Sequence, residues 1–134
     1  MTKKYINRSP DYRDISLDFF KDRTTGDVAM LEGHEAIKRA IRNLILSNYY
    51  ERPFRSYLAS NVRGVLFNNF SSFAGDDLKD AIIAVIKNFE PRVKLLDVQI
   101  TQDTDRNGFN CQLYYMILNR EQPVVTSIFL EKIR

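Results

Sequence analysis

Residues 78–101 read LKDAIIAVIKNFEPRVKLLDVQIT, and the spacing of the apolar residues changes within this stretch. Up to Phe89 they recur roughly every three or four residues, as in an amphipathic helix, and Pro91 stops such a helix. From Leu96 onward apolar and polar residues alternate, which predicts a β-strand. The stretch therefore predicts a helix that leads through a rigid joint, Glu90-Pro91-Arg92, into a strand.

The sequence after this strand predicts an antiparallel meander. Asp105-Arg106-Asn107-Gly108 is a hairpin turn, because Asn and Gly tolerate positive φ, and residues 109–118 form the returning strand. A second turn ends at Pro123 and leads to a last strand over residues 124–131, which is rich in β-branched residues. We expect this last strand at an edge of the sheet, where it either pairs with another chain or is covered by the N-terminal segment.

Two helical patterns precede the quoted stretch. They predict an amphipathic helix over residues 31–47 and a short helix over residues 61–70. Residues 1–30 are mostly polar, and the alternation over positions 15–19 predicts a short strand or an extended arm. The predicted architecture is α+β: an extended N-terminal arm, then a single domain over residues 31–134 with two to three helices and an antiparallel meander of about three strands.

Composition excludes several classes of protein. The chain has 134 residues, 44% of them hydrophobic and 28% charged, which is typical of one soluble domain. Its polar start and its short apolar runs predict neither a signal peptide nor a membrane span, so we expect assembly in the cytoplasm. One cysteine, Cys111, and one histidine, His34, cannot form an ordinary Cys/His metal site, and the common nucleotide-binding and hydrolase motifs are missing. We predict no catalytic residue, no cofactor and no metal.

Three features are candidates for contact with partner proteins. The joint Glu90-Pro91-Arg92 predicts either a local ion pair or a docking site. The loop over residues 49–57 carries Arg52 and Phe54, types that are enriched at interfaces; its alternative roles are closure of the core and stacking on nucleic-acid bases. The net charge of +3 is too small to favour nucleic acid. In the last strand, the candidates for strand addition alternate along the chain: Val124, Thr126, Ile128 and Leu130.

The order of these features resembles the gene-25-like family of contractile phage tails, which has relatives in type VI secretion. The likeness covers most of the chain, from residue 12 to the last strand. The segments that carry it are YRDISLDF (12–19), TGDV (25–28), ERPF (51–54), LF (66–67) and FEPRV (89–93), of which Glu-Pro-Arg is the family's signature. Two departures lie beside ERPF: the family has Gly where this chain has Tyr50, and Phe-Gly where this chain has Leu58-Ala59.

The resemblance implies a structural protein of the inner baseplate wedge, in the tail of the virion. Its implied partners are the other wedge proteins, whose core bundle contacts the Glu-Pro-Arg joint, and the tail sheath subunit, whose first ring adds by strand exchange. Tail tube or tube-initiator proteins are a further implied partner; no nucleic acid and no membrane are implied. Some members of the family carry a lysozyme-like description, so a cell-wall hydrolase is the alternative, with four candidate carboxylates: Glu32, Glu35, Glu51 and Glu90.

Overall fold

The computed structural model describes residues 12–67, 73–118 and 120–132. The chain divides into two compact units, with the boundary between Arg39 and Ala40. The predicted limits of the arm and of the domain stay predictions. Residues 1–11 of the predicted arm and residues 68–70 of the predicted second helix lie outside the described residues. No helix in the described part has the length and apolar character needed to cross a membrane.

The first unit contains a small β-hairpin. Strand β1 (Arg13–Ile15) pairs antiparallel with β2 (Met30–Glu32), and the segment between them includes Gly26 at a φ of 75°. The alternating residues predicted a strand over positions 15–19, but β1 ends earlier. Phe19 has a φ of 52°, which interrupts the extended backbone that a strand requires.

Three helices form where the apolar spacing predicts them. Helix α1 (His34–Leu46) contains the boundary between the two units, and α2 (Val62–Phe67) and α3 (Ala74–Phe89) belong to the second unit. The apolar stripe of α3 is buried because it packs against the first strand of the sheet. Its buried members are Leu78, Ile82, Val85 and Ile86.

The second unit is completed by a three-stranded antiparallel meander. Its strands are β3 (Val93–Asp103), β4 (Gly108–Ile117) and β5 (Pro123–Glu131), in the order β3-β4-β5. Strand β4 is central, so β3 and β5 form the two edges. The α+β class, the meander and the edge position of the last strand are confirmed. One face of the sheet supplies the core with Val98, Phe109, Cys111, Leu113, Tyr115, Ile117, Thr126, Ile128 and Leu130.

The turn before β4 makes several contacts with the end of β5. Asn107 adopts the predicted positive φ, and its carbonyl accepts a 2.9 Å hydrogen bond from the Lys132 N–H. A Cβ on Gly108 would lie 2.5 Å from the Leu130 carbonyl oxygen, so glycine is needed for this close approach of the two strands. The Arg106 guanidinium lies 4.2 Å from the ring centre of Phe129, which adds a cation–π contact.

Candidate partner-binding surfaces

The Glu-Pro-Arg joint forms a closed ion pair. Pro91 holds Glu90 out of the helical region, at φ −124° and ψ 77°, while the Glu90 N–H still donates to the Ile86 carbonyl at 2.9 Å. The Arg92 guanidinium donates two hydrogen bonds to the Glu90 carboxylate, from Nε to Oε1 at 2.6 Å and from Nη2 to Oε2 at 2.7 Å. Glu90 is only 5% exposed. The structure therefore contains the local ion pair, one of the two roles that the sequence left open.

The joint lies at a groove between α3 and β3. The groove has a volume of about 640 Å³, and Pro91 and Glu90 form part of its wall. Its apolar lining residues are Ile83, Ile86, Val93, Leu95, Leu96, Val98 and Leu118. Three lysines, Lys79, Lys87 and Lys94, also line it, and Lys79 is paired with Asp97 at 3.5 Å. An apolar surface edged by lysines suits an amphipathic segment that carries carboxylates.

The loop between α1 and α2 is closed at its base. Asn48 and Ser60 form an isolated β-bridge, and the Ser60 hydroxyl donates to the Ile45 carbonyl. The Glu51 carboxylate accepts a 2.8 Å hydrogen bond from the Asn48 N–H, which lowers the pKa of Glu51. Arg63 Nη1 lies 3.6 Å from the same carboxylate. These contacts connect the base of the loop to α1 and α2, although most of its residues are exposed.

This loop presents aromatic side chains to solvent. Phe54 is fully exposed and Tyr50 is 86% exposed, so the alternative that Phe54 closes the core is wrong. Arg52 is exposed beside them, and its guanidinium reaches the Ser47 hydroxyl at 3.4 Å. Tyr50 and Phe54 have φ values of 67° and 66°, which are unfavourable for bulky side chains. Tyr50 stands where the gene-25-like family has Gly, and a backbone with positive φ accounts for a glycine at that position.

The two edges of the sheet differ in regularity. The register of β3 is interrupted by a bulge between Leu95 and Asp97. The Asp97 carboxylate accepts a 2.8 Å hydrogen bond from the Val98 N–H, and this bond lowers the pKa of Asp97. Bulges and charges of this kind hinder the pairing of another strand. The sequence signal for the bulge is the Leu95-Leu96 doublet, which breaks the alternation of the strand.

Strand β5 is regular, and among the described residues β4 is the one strand paired with it. The Lys132 N–H points to β4, so the alternation of an antiparallel ladder turns the backbone groups of Val124, Thr126, Ile128 and Leu130 to β4 as well. The backbone groups of the residues between them, Val125, Ser127 and Phe129, face outward.

The predicted strand-addition residues therefore lie on the inner side of β5. Thr126, Ile128 and Leu130 are buried and Val124 is half-buried. The Thr126 and Tyr115 hydroxyls lie 3.0 Å apart in the core. What β5 presents to a partner is its outer backbone edge, together with the exposed side chains of Val125 and Ser127. The sequence did not distinguish the residues that face β4 and the core from those that face outward, because apolar residues occur at both alternating positions of the strand.

The four carboxylates considered for hydrolysis all have partners. Glu32 pairs with Arg13 at 3.0 Å, Glu35 contacts His34 at 3.0 Å, and Glu51 and Glu90 make the contacts described above. Burial raises the pKa of the Cys111 thiol to about 12, so this cysteine is a core residue and a poor nucleophile. Within residues 12–67, 73–118 and 120–132, no cluster of His, Cys, Asp and Glu is suited to hold a metal ion.

The sequence is similar to that of a known baseplate protein. The chain is 27% identical over 113 residues to the baseplate wedge protein gp25 of Enterobacteria phage T4, covering 84% of this chain and 85% of gp25. The resemblance to the gene-25-like family is confirmed. No family model matches the chain.

Solved structures show the same fold at low sequence identity. A chain of the anti-feeding prophage baseplate aligns with a TM-score of 0.71 at 22% identity, covering 84% of this chain and 90% of that one. A proposed tail lysozyme from Geobacter sulfurreducens gives 0.62 at 18% identity, with coverages of 73% and 91%. A chain of the postcontracted pyocin R2 baseplate gives 0.51 at 16% identity, with coverages of 82% and 96%.

Proposed function

We propose that this chain is a structural subunit of a contractile tail baseplate and that it starts sheath assembly by accepting a β-strand at β5. The observation that carries the proposal is the regular edge of β5, which among the described residues pairs with β4 alone, in a chain similar to a baseplate wedge protein. In the proposed arrangement the protein resides in the tail of the virion, after assembly in the host cytoplasm. Its partners are the other wedge proteins and the sheath subunit.

The contrast between the two sheet edges supports strand addition at β5. A strand that joined β3 would meet the bulge and would compete with the Asp97 carboxylate for the Val98 N–H. A strand that joined β5 would find outward backbone groups at Val125, Ser127 and Phe129. Backbone hydrogen bonds give such an interface its affinity, and side chains that alternate along the added strand give it specificity.

The wedge contact is proposed at the joint and the α3–β3 groove. The Glu90–Arg92 pair fixes the turn between α3 and β3, and the exposed Pro91 stands at the wall of the groove. A helix of a wedge core bundle would place apolar residues in the groove and carboxylates near Lys87 and Lys94. In this arrangement Glu90 shapes the docking surface, and its carboxylate stays with Arg92.

The aromatic loop is proposed as a third contact, to a neighbouring wedge subunit or to the tail tube. Phe54 and Arg52 project from a loop whose base is fixed by the Asn48–Ser60 bridge. Large exposed aromatic groups beside arginine are the residue types that contribute most to protein–protein affinity. Charge reversal at Arg52 and Arg55 that spared assembly would contradict this contact.

A cell-wall hydrolase is the second candidate, because one similar structure is a proposed tail lysozyme. A glycosidase needs a general acid with a raised pKa near a second carboxylate. The hydrogen bond from Asn48 lowers the pKa of Glu51 instead, and Glu90 is held in its ion pair. These observations favour a non-enzymatic protein. Clearing of peptidoglycan by the purified chain, abolished by one Glu→Gln change, would reverse this preference.

The edge of β5 can be tested with Ser127→Pro. Proline lacks the N–H that Ser127 directs outward, while the hydrogen bonds between β5 and β4 stay intact. We expect the Ser127→Pro chain to assemble into baseplates but to prevent addition of the first sheath ring. Tails that contain the control variant, Ser127→Ala, should acquire a normal sheath. If Ser127→Pro does not fold, Val125→Lys places a charge on the same edge and tests the same point. A normal sheath on tails that contain a folded Ser127→Pro or Val125→Lys chain would contradict the proposal.

A further inference from the structure

A second groove lies at the C-terminal end of β5. One wall is the end of β5, and the other walls are α2 and the part of α1 that follows Arg39, so every lining residue belongs to the second unit. The groove has a volume of about 310 Å³. The lining includes Leu46 and Phe67, which are 46% and 59% exposed, and the buried Val62, Leu66 and Leu130. Arg42 and Arg63 also line it. This α1–α2–β5 groove takes no part in the contacts assigned above.

We propose that the strand added to β5 places one apolar side chain in the α1–α2–β5 groove and a carboxylate beside Arg42 and Arg63. The inference rests on the proposed function, because it requires strand addition at β5. The residues of the α1–α2–β5 groove would then select the incoming strand by its apolar and acidic side chains.

The geometry of the sheet directs a partner side chain into the groove. In a β-sheet, directly opposed residues of neighbouring strands point to the same face. Leu130 points to the buried face and lines the groove. A partner residue opposite Leu130 would therefore point into the same space. The outward backbone groups of Phe129 fix the incoming strand at this place.

The size and lining of the groove fit an apolar side chain. A volume of about 310 Å³ is at the lower limit of the roughly 300 to 1,000 Å³ of small-molecule sites. The exposed Leu46 and Phe67 would be covered by an aliphatic or aromatic group at this position. Their burial supplies the favourable free energy, since apolar area is removed from water on both partners.

The charge of the groove favours a carboxylate on the partner. Arg42 forms no ion pair with any residue that the structure describes, and Arg63 contacts Glu51 at 3.6 Å, longer than a hydrogen-bonded pair. Glu131 is the one acidic residue among the lining residues, so two arginines face one carboxylate. A guanidinium binds a carboxylate through two parallel hydrogen bonds, which makes arginine selective for this group.

The test measures binding of the purified sheath subunit of the same tail to the immobilised chain. The groove variants are Leu46→Asp and Arg42→Glu, both at exposed positions. Arg23→Glu, an equal charge reversal at an exposed position that has no assigned contact, is the matched control. Ser127→Pro reports on the edge itself, and circular dichroism shows that each variant is folded.

We expect each groove variant to raise the dissociation constant about tenfold, which is ~1.4 kcal/mol of binding free energy. The effect of Arg42→Glu should shrink as salt is added, because ions screen an exposed charge pair. Arg23→Glu should bind as the unmodified chain does.

Three results would overturn the inference, and they separate it from the proposed function. If the groove variants bind normally while Ser127→Pro does not, the groove has no role and strand addition stands. If the unmodified chain does not bind the sheath subunit, strand addition fails and the groove proposal fails with it. If the chain forms a concentration-dependent dimer that Leu46→Asp abolishes, the groove belongs to a second copy of the chain.

Discussion

Removal of the Arg92 guanidinium should destabilise the fold by leaving a buried carboxylate without its partner. Breaking a fully buried ion pair costs roughly 3–5 kcal/mol. The Arg92 side chain is 36% exposed, so water can reach the vacated space and reduce this cost. We therefore expect Arg92→Met to lower the free energy of unfolding by about 2 kcal/mol. With an m-value of about 1.5 kcal/mol per molar urea, the unfolding midpoint falls by about 1 M.

The double variant Glu90→Gln with Arg92→Met separates the charge from the packing. The Glu90→Gln change replaces the unpaired carboxylate with a neutral amide of nearly the same shape, so part of the lost stability should return. Far-UV circular dichroism during urea unfolding at neutral pH measures all three chains. Arg92→Met with unchanged stability, or a double variant as unstable as Arg92→Met, would refute the view that the pair holds the joint. The double variant is also the folded form in which wedge binding should be measured.

Three further changes probe the close approach of two strands, a strained loop position and a buried thiol. Gly108→Ala should cost about 1–3 kcal/mol because its Cβ would meet the Leu130 carbonyl, whereas Gly75→Ala, which has open space around it, should be neutral or stabilising in the same urea experiment. Tyr50→Gly should be about 1 kcal/mol more stable than Tyr50→Ala, since alanine keeps the penalty of a positive φ, and equal midpoints would contradict the strain. At pH 8, Cys111 should react with a thiol reagent about a thousandfold more slowly than an exposed cysteine, because a pKa of about 12 leaves little thiolate; fast labelling of the folded chain would contradict its burial.

The order of elements was predictable because local signals mark it. Pro91 ends α3, the change of apolar period begins β3, and Asn107-Gly108 makes the hairpin turn, so each of these features follows from a few neighbouring residues. The location of the edge strand followed from its position at the end of the meander. These are properties of short segments, and tertiary contacts did not override them.

The details of the candidate surfaces depend on contacts that are distant in the sequence. The ion pair between Glu90 and Arg92 depends on the burial of Glu90, which the local sequence does not reveal. The outward backbone groups of β5 are set by its register with β4, which a strand with apolar residues on both faces does not reveal. The positive φ of Tyr50 was hidden because an aromatic residue stands where glycine is the usual choice.

Electron microscopy of negatively stained tails tests whether this chain initiates assembly of the sheath. Tails are assembled with the chain, without it and with Ser127→Pro in its place. We expect sheathed tails with the unmodified chain, and baseplates or tubes without sheath in the other two samples. Normally sheathed tails in the absence of the chain would contradict this expectation.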